Sequence, residues 1–154
     1  MNAVQFWRRV SSTELSAPAS SKRSLAGRVG LEGSSQSLVR RVFDHLFAGI
    51  PVSDRQAAGE WYERLLGRPP DLIPNAREAA WRLTDSGWLV IERDPARAGS
   101  ALHTLLVADL DGFLAGLAER GVRAGPVELI GDGVRQAIVS DPDGNRLKVG
   151  QPPG

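Results

Sequence analysis

Few side chains in this chain could do chemistry. Its 154 residues include two histidines, His45 and His103, and no cysteine. Thiolate nucleophiles, thiolate metal sites and disulfides are therefore excluded. Imidazole and carboxylate suit hard or borderline divalent cations, so the two histidines and whichever carboxylates come near them are the groups that could bind one. A glycine-rich phosphate loop, a Ser–His–Asp order and paired catalytic carboxylates are all missing from the sequence.

The elements that must position these groups come in two copies. Phe47 to Gly67 and Leu102 to Gly121 each read as a strand ending in Val-x-Asp, then an amphipathic helix closed by glycine. At a spacing of about 55 residues Val52 falls on Val107 and Asp54 on Asp109, and the helical tails match at Gly67 and Gly121 after a one-residue deletion. Internal similarity of this kind argues for two equivalent modules packed together.

Composition is that of one ordinary globular domain, 42% hydrophobic and 24% charged, with no apolar run near the ~20 residues of a membrane span. The net charge of +1 is unevenly spread. Residues 1–42 carry seven basic against two acidic side chains, about +5, which leaves about −4 for residues 43–154. A mildly acidic folded part speaks against a nucleic-acid surface. Residues 1–42, rich in Ser and Arg and without a period, read as a disordered extension with at most a helical turn near Val4–Val10; their composition also suits an organelle transit peptide. The lack of cysteine agrees with a cytoplasmic protein.

In the first module, about 43–94, the pattern predicts a strand over Val42–Val52 and a helix capped at Ser53–Asp54. Its apolar stripe is Ala57, Ala58, Trp61, Tyr62 and Leu65, and Gly67 with Pro69–Pro70 ends it. Extended segments follow near Asp71–Ile73, Glu78–Thr84 and Trp88–Arg93. In the second module, about 101–150, strands are expected at Ala101–Val107, Pro126–Ile130, Val134–Ser140 and Asn145–Val149. A helix capped by Asp109 presents Leu110, Phe113, Leu114 and Leu117, and Asp141-Pro142-Asp143-Gly144 is a tight turn. Residues 151–154 form a tail.

This doubled βαβββ order, with VSDRQAAGEWYERLLGR (Val52–Arg68) and SDPDGNRLKV (Ser140–Val149), resembles the vicinal oxygen chelate superfamily of glyoxalase I, bleomycin-resistance proteins and extradiol dioxygenases. The resemblance covers about Phe43 to Val149. It implies an α+β fold: two βαβββ modules forming an incompletely closed eight-stranded sheet around a cleft, with helices on the outer face and frequent dimers.

Metal-using members of that superfamily place a His or Glu on each of four strands. By alignment the four positions here are Phe47, Glu92, Leu102 and Lys148. One carboxylate in four is no cation site, and an ammonium group would repel the ion. No cofactor is therefore expected. The alternative set, His45, Glu92 and His103, needs a β-bulge to re-aim His103, which strand alternation otherwise turns away from the cleft. Glu92, which that alignment also leaves as the candidate general base, and Lys148 are instead candidates to face each other as a charge pair. Alternation gives a cleft lined by Phe47, Gly49, Trp88, Val90, Glu92, Leu102, Thr104, Leu106, Arg146 and Lys148, mainly apolar with a few polar groups, as small-molecule sites are.

The resemblance implies a cleft that sequesters a small organic molecule, in a homodimer, with no nucleic-acid or membrane partner. Two further readings stay open at this point: a metal-dependent lyase, isomerase or dioxygenase with an atypical ligand set, and a non-catalytic interaction module.

Overall fold

A computed structural model describes residues 42–154; the extension and the turn near Val4–Val10 lie outside the described residues. The chain divides into units Met1–Asp44 and His45–Gly154, and the second carries all the elements below. They run β1 (Leu46–Val52), α1 (Arg55–Leu66), β2 (Leu72–Asn75), β3 (Glu78–Arg82), β4 (Gly87–Arg93), β5 (Leu102–Leu106), α2 (Leu110–Glu119), β6 (Glu128–Ile130), β7 (Val134–Ser140) and β8 (Arg146–Gln151).

The eight strands form two four-stranded sheets, ordered β1-β4-β3-β2 and β5-β8-β7-β6. The expected α+β architecture of two βαβββ modules is present, and the sheets are not closed. In each, the first strand pairs parallel with the last and the others run antiparallel. β1 begins at Leu46 rather than Val42 because its ladder partner begins at Gly87: Leu46 lies opposite Gly87, and the turn residue Ser86 accepts from the Leu46 N–H.

The duplicated motif folds twice in the same way. Asp54 and Asp109 are both N-caps in extended conformation, φ −133° and −132°, and accept from Ala57 N at 2.8 Å and Gly112 N at 2.9 Å. Each satisfies a backbone donor that the first helical turn leaves free. Gly67 and Gly121 follow the helices at φ 72° and 75°. The α1 stripe is corrected at one position: Ala57 is exposed, and Gly59 is buried beside Ala58, Trp61, Tyr62 and Leu65. On α2, Leu110 and Leu117 are fully buried while Phe113 and Leu114 are half-buried against the same core.

One apolar core serves both modules. Ile50, Val52, Trp81, Leu89 and Ile91 from the first sheet join Val139, Leu147 and Val149 from the second, with Tyr62, Leu65, Leu110 and Leu117 from the helices. These strand residues alternate with less buried ones, so each sheet has a helix-covered face and an open face. No helix of the described residues is long and apolar enough to cross a membrane.

Candidate functional site

The modules are fastened through the Asp-Pro-Asp-Gly-Asn turn. Asn145 donates through Nδ2 to Pro51 O at 2.8 Å and accepts from Ala101 N at 2.9 Å, tying the end of β1 to the start of β5. The Ser53 N–H donates to Asp143 Oδ2 at 3.0 Å. Asp141, 5% exposed, accepts from the Tyr62 hydroxyl, Asn145 Nδ2 and the N–H groups of Asp143 and Asn145. Burial, and then the Asp141 carboxylate beside it, push the Tyr62 phenol far above its ordinary range. Tyr62 thus stays a neutral donor, and the network is structural.

A second fastening involves a histidine. His103 Nε2 lies 2.9 Å from Gly49 O, so the ring nitrogen donates to the backbone of β1. This half-buried imidazole is engaged at the seam between the modules. His45 lies one residue ahead of β1, its ring 6.3 Å from that of Phe47. Among the described residues no three His, Asp or Glu side chains converge so as to hold a metal ion.

The ladder registers correct one equivalence read from the sequence. Phe47 lies opposite Trp88 and Gly49 opposite Val90, while Leu102 lies opposite Arg146 and Thr104 opposite Lys148. With Phe47 equivalent to Leu102, the counterpart of Lys148 is therefore Val90, and the counterpart of Glu92 is Gly150. The four equivalent positions hold a phenyl, an isopropyl, an isobutyl and an ammonium group. None of these is a ligand for a divalent cation, so the donor set does not fit one. The signal that separates Val90 from Glu92 is the buried pair flanking each position: Leu89 and Ile91 match Leu147 and Val149.

Glu92 is exposed at the end of β4, and no ion pair joins it to Lys148 among the described residues. Its neighbour across the ladder is Glu78.

The other expected lining residues divide between the two open faces. On the first sheet Phe47 and Trp88 lie side by side with rings 6.0 Å apart and nearly parallel at 10°. Trp88, 8% exposed, stands on the face opposite Leu89 and Ile91, next to half-buried Val90. On the second sheet Leu102, Thr104, Leu106 and Arg146 are exposed and Lys148 is half-buried. Ile130, 43% exposed, occupies the same face on β6 through its pairing with Val134. The alternation read from the sequence thus places these side chains on the faces away from the helices.

A separate shallow depression of about 490 Å³ lies at the C-terminal ends of the helices, lined by Glu63, Gly67 and Arg120 among others. The Arg120 guanidinium there is occupied by Arg64 O at 2.5 Å and Leu65 O at 3.3 Å.

No protein-family model matches the chain, and no curated protein matches it. Solved structures do. A glyoxalase/bleomycin resistance protein from Catenulispora acidiphila DSM 44928 is 44% identical, with 71% of this chain and 98% of that one aligned at a TM-score of 0.67. TnmS3, an antibiotic-binding protein from Streptomyces sp. CB03234, is 28% identical over 71% and 95% of the two chains, TM-score 0.58. A bleomycin resistance determinant encoded on the transposon Tn5 is 25% identical over 70% and 97%, TM-score 0.61.

Proposed function

Because the chain belongs to the glyoxalase/bleomycin resistance protein family of the vicinal oxygen chelate superfamily, we propose that it sequesters a small organic molecule on its open sheet faces without a metal ion. One observation carries this reading. The positions where a cation would be held are Phe47, Val90, Leu102 and Lys148, an apolar surface with a single charge. Such a surface suits an apolar ligand body and leaves a few polar groups to orient it. Two of the similar structures are described as an antibiotic-binding protein and a bleomycin resistance determinant, which supports sequestration of a drug-like compound here.

A second copy of the chain completes the cleft in this reading. Leu102, Leu106 and Ile130 are 45%, 66% and 43% exposed on one face of the second sheet. An apolar face of this kind gains by being covered. In this reading the protein acts in the cytoplasm.

The test is a thermal-shift and calorimetric screen of the chelator-stripped chain against bleomycin and a panel of drug-sized aromatic antibiotics. Any compound that binds only the folded state raises stability, by about 2.7 kcal/mol at a hundredfold excess over Kd. We expect at least one saturable ligand whose binding is unchanged by added Zn, Ni, Mn or Fe. Binding that requires one of these ions would overturn the metal-free reading, and no binding across the panel would overturn sequestration.

A further inference from the structure

Two cations on the open face of the second sheet have no counter-charge in the fold. Lys148 is half-buried in mid-strand on β8, with Thr104 opposite it on β5 and Ile138 on β7. Two residues earlier Arg146 stands on the same face, between Leu102 and Ser140. Neither the Lys148 ammonium nor the Arg146 guanidinium makes an ion pair or a side-chain hydrogen bond with any described residue. Elsewhere the basic side chains are put to use: Arg68 and Arg135 hold Asp71 and Asp111, and Arg120 holds backbone carbonyls.

Packing does not call for these charges. The core work of β8 falls to Leu147 and Val149, fully buried on its other face. A cation partly withdrawn from water loses hydration that only a partner restores, and two cations on one strand face also repel each other. The hydroxyls of Thr104 and Ser140, on the same two ladder rows, are likewise unbonded to any described residue and can donate. The carboxylate that β6 brings to this face, Glu128, lies two strands away from Lys148.

We propose that Arg146 and Lys148 form an anion subsite and that the ligand is an organic carboxylate, its charged group held by the two cations and its apolar body over Leu102 and Ile138. This rests on the small-molecule reading above and narrows its ligand to acids. A guanidinium can grip both oxygens of a carboxylate, and an ammonium adds a compact charge with three donors. A neutral or cationic compound of the same shape leaves both cations unpaired, which is how the site discriminates. The folded part is acidic as a whole, so the preference comes from these two side chains and not from the general field.

The test titrates acid and amide pairs of one shape calorimetrically into the chelator-stripped full chain: naphthalene-2-carboxylate, biphenyl-4-carboxylate and anthracene-2-carboxylate, each against its primary amide. We expect the acid of at least one pair to bind about tenfold more tightly than its amide. The preference should shrink as salt is raised. The double variant Lys148→Met/Arg146→Gln should abolish it with amide binding and circular dichroism unchanged, and Lys148→Arg should retain it. Arg146→Gln alone, at an exposed side chain, should weaken it, which keeps the test readable if Lys148→Met disturbs the fold. Acids that bind no better than their amides in every pair, no binding of any acid, or a preference that survives the double variant would each overturn the subsite. If compounds of the antibiotic panel still bind while any of these occurs, the subsite fails and sequestration stands; if the whole panel fails too, sequestration falls with it.

Discussion

The hydroxyl of Tyr62, on the helix of the first module, donates to Asp141 Oδ2 in the turn of the second at 2.9 Å, and both residues are buried. This bond spans 79 residues and closes a network in which a single carboxylate takes four donors. A buried carboxylate is tolerated when its lone pairs are met in this way. Tyr62→Phe removes one donor and no volume to speak of. We expect it to lower unfolding free energy by about 1–3 kcal/mol, read by chemical denaturation, with both modules still unfolding in one transition. A variant as stable as the parent would show that the bond contributes nothing.

The same phenol gives an alkaline signature. Tyr62 is the chain's one tyrosine, so any tyrosinate absorbance, once the tryptophan contribution is subtracted, comes from it alone. Its folded pKa is raised, burial first and the Asp141 charge next. A raised pKa means stability is fully present below the unfolded value, about 10, and declines as pH rises above it. Tyrosinate should therefore appear only together with loss of folded structure by circular dichroism. Ionisation of the still-folded protein at pH 10–11 would contradict the burial.

The glycine linking the modules should be intolerant of a side chain. Gly99 has φ 87°, and a Cβ there would lie 2.3 Å from the Asp143 carbonyl oxygen, a backbone atom that cannot swing aside. Gly121 has φ 75° but nothing within 4 Å. Ala at either position carries the left-handed penalty of about 1–2 kcal/mol, and only Gly99→Ala adds a backbone collision. Gly99→Ala should thus be the more destabilising of the two in a urea titration; equal effects would place the linker elsewhere.

On the acid side the informative group is Asp71. Burial pushes this carboxyl up, but the Arg68 hydrogen bond and the Arg82 N–H outweigh it and hold it below its ordinary value. A lowered pKa means stability is present above the unfolded value, about 3.9, and is lost as pH falls through the folded one. Asp71→Asn should flatten part of the stability loss below about pH 4. The effect is small, because the side chain is 39% exposed and solvent screens the pair.

Local chemistry was legible in the sequence where one residue decides it. Asp54 and Asp109 cap, Gly67 and Gly121 take positive φ, and Val134–Ser140 forms a strand over the expected span. What could not be read are quantities set by a partner strand. The true start of β1 depends on where β4 begins. The equivalence of Lys148 with Val90 rather than Glu92 depends on ladder register, which a sequence carries only through its buried alternation. The engagement of His103 with Gly49 O depends on how the two modules meet, and no spacing within either module encodes that.

The open face of the second sheet yields the last prediction. Leu106 is 66% exposed, and its Cδ2 lies against the Gly150 side of β8, so a change there alters the surface and leaves the core intact. If a second copy covers this face, Leu106→Glu places an unpaired carboxylate inside the interface. Burying such a charge without a partner is strongly unfavourable. The parent should sediment as a dimer and Leu106→Glu as a folded monomer of unchanged circular dichroism. High salt should not separate the parent, because apolar burial is not screened. A parent that sediments as a monomer at micromolar concentration would remove the second copy from the proposal and leave each chain to hold its ligand alone.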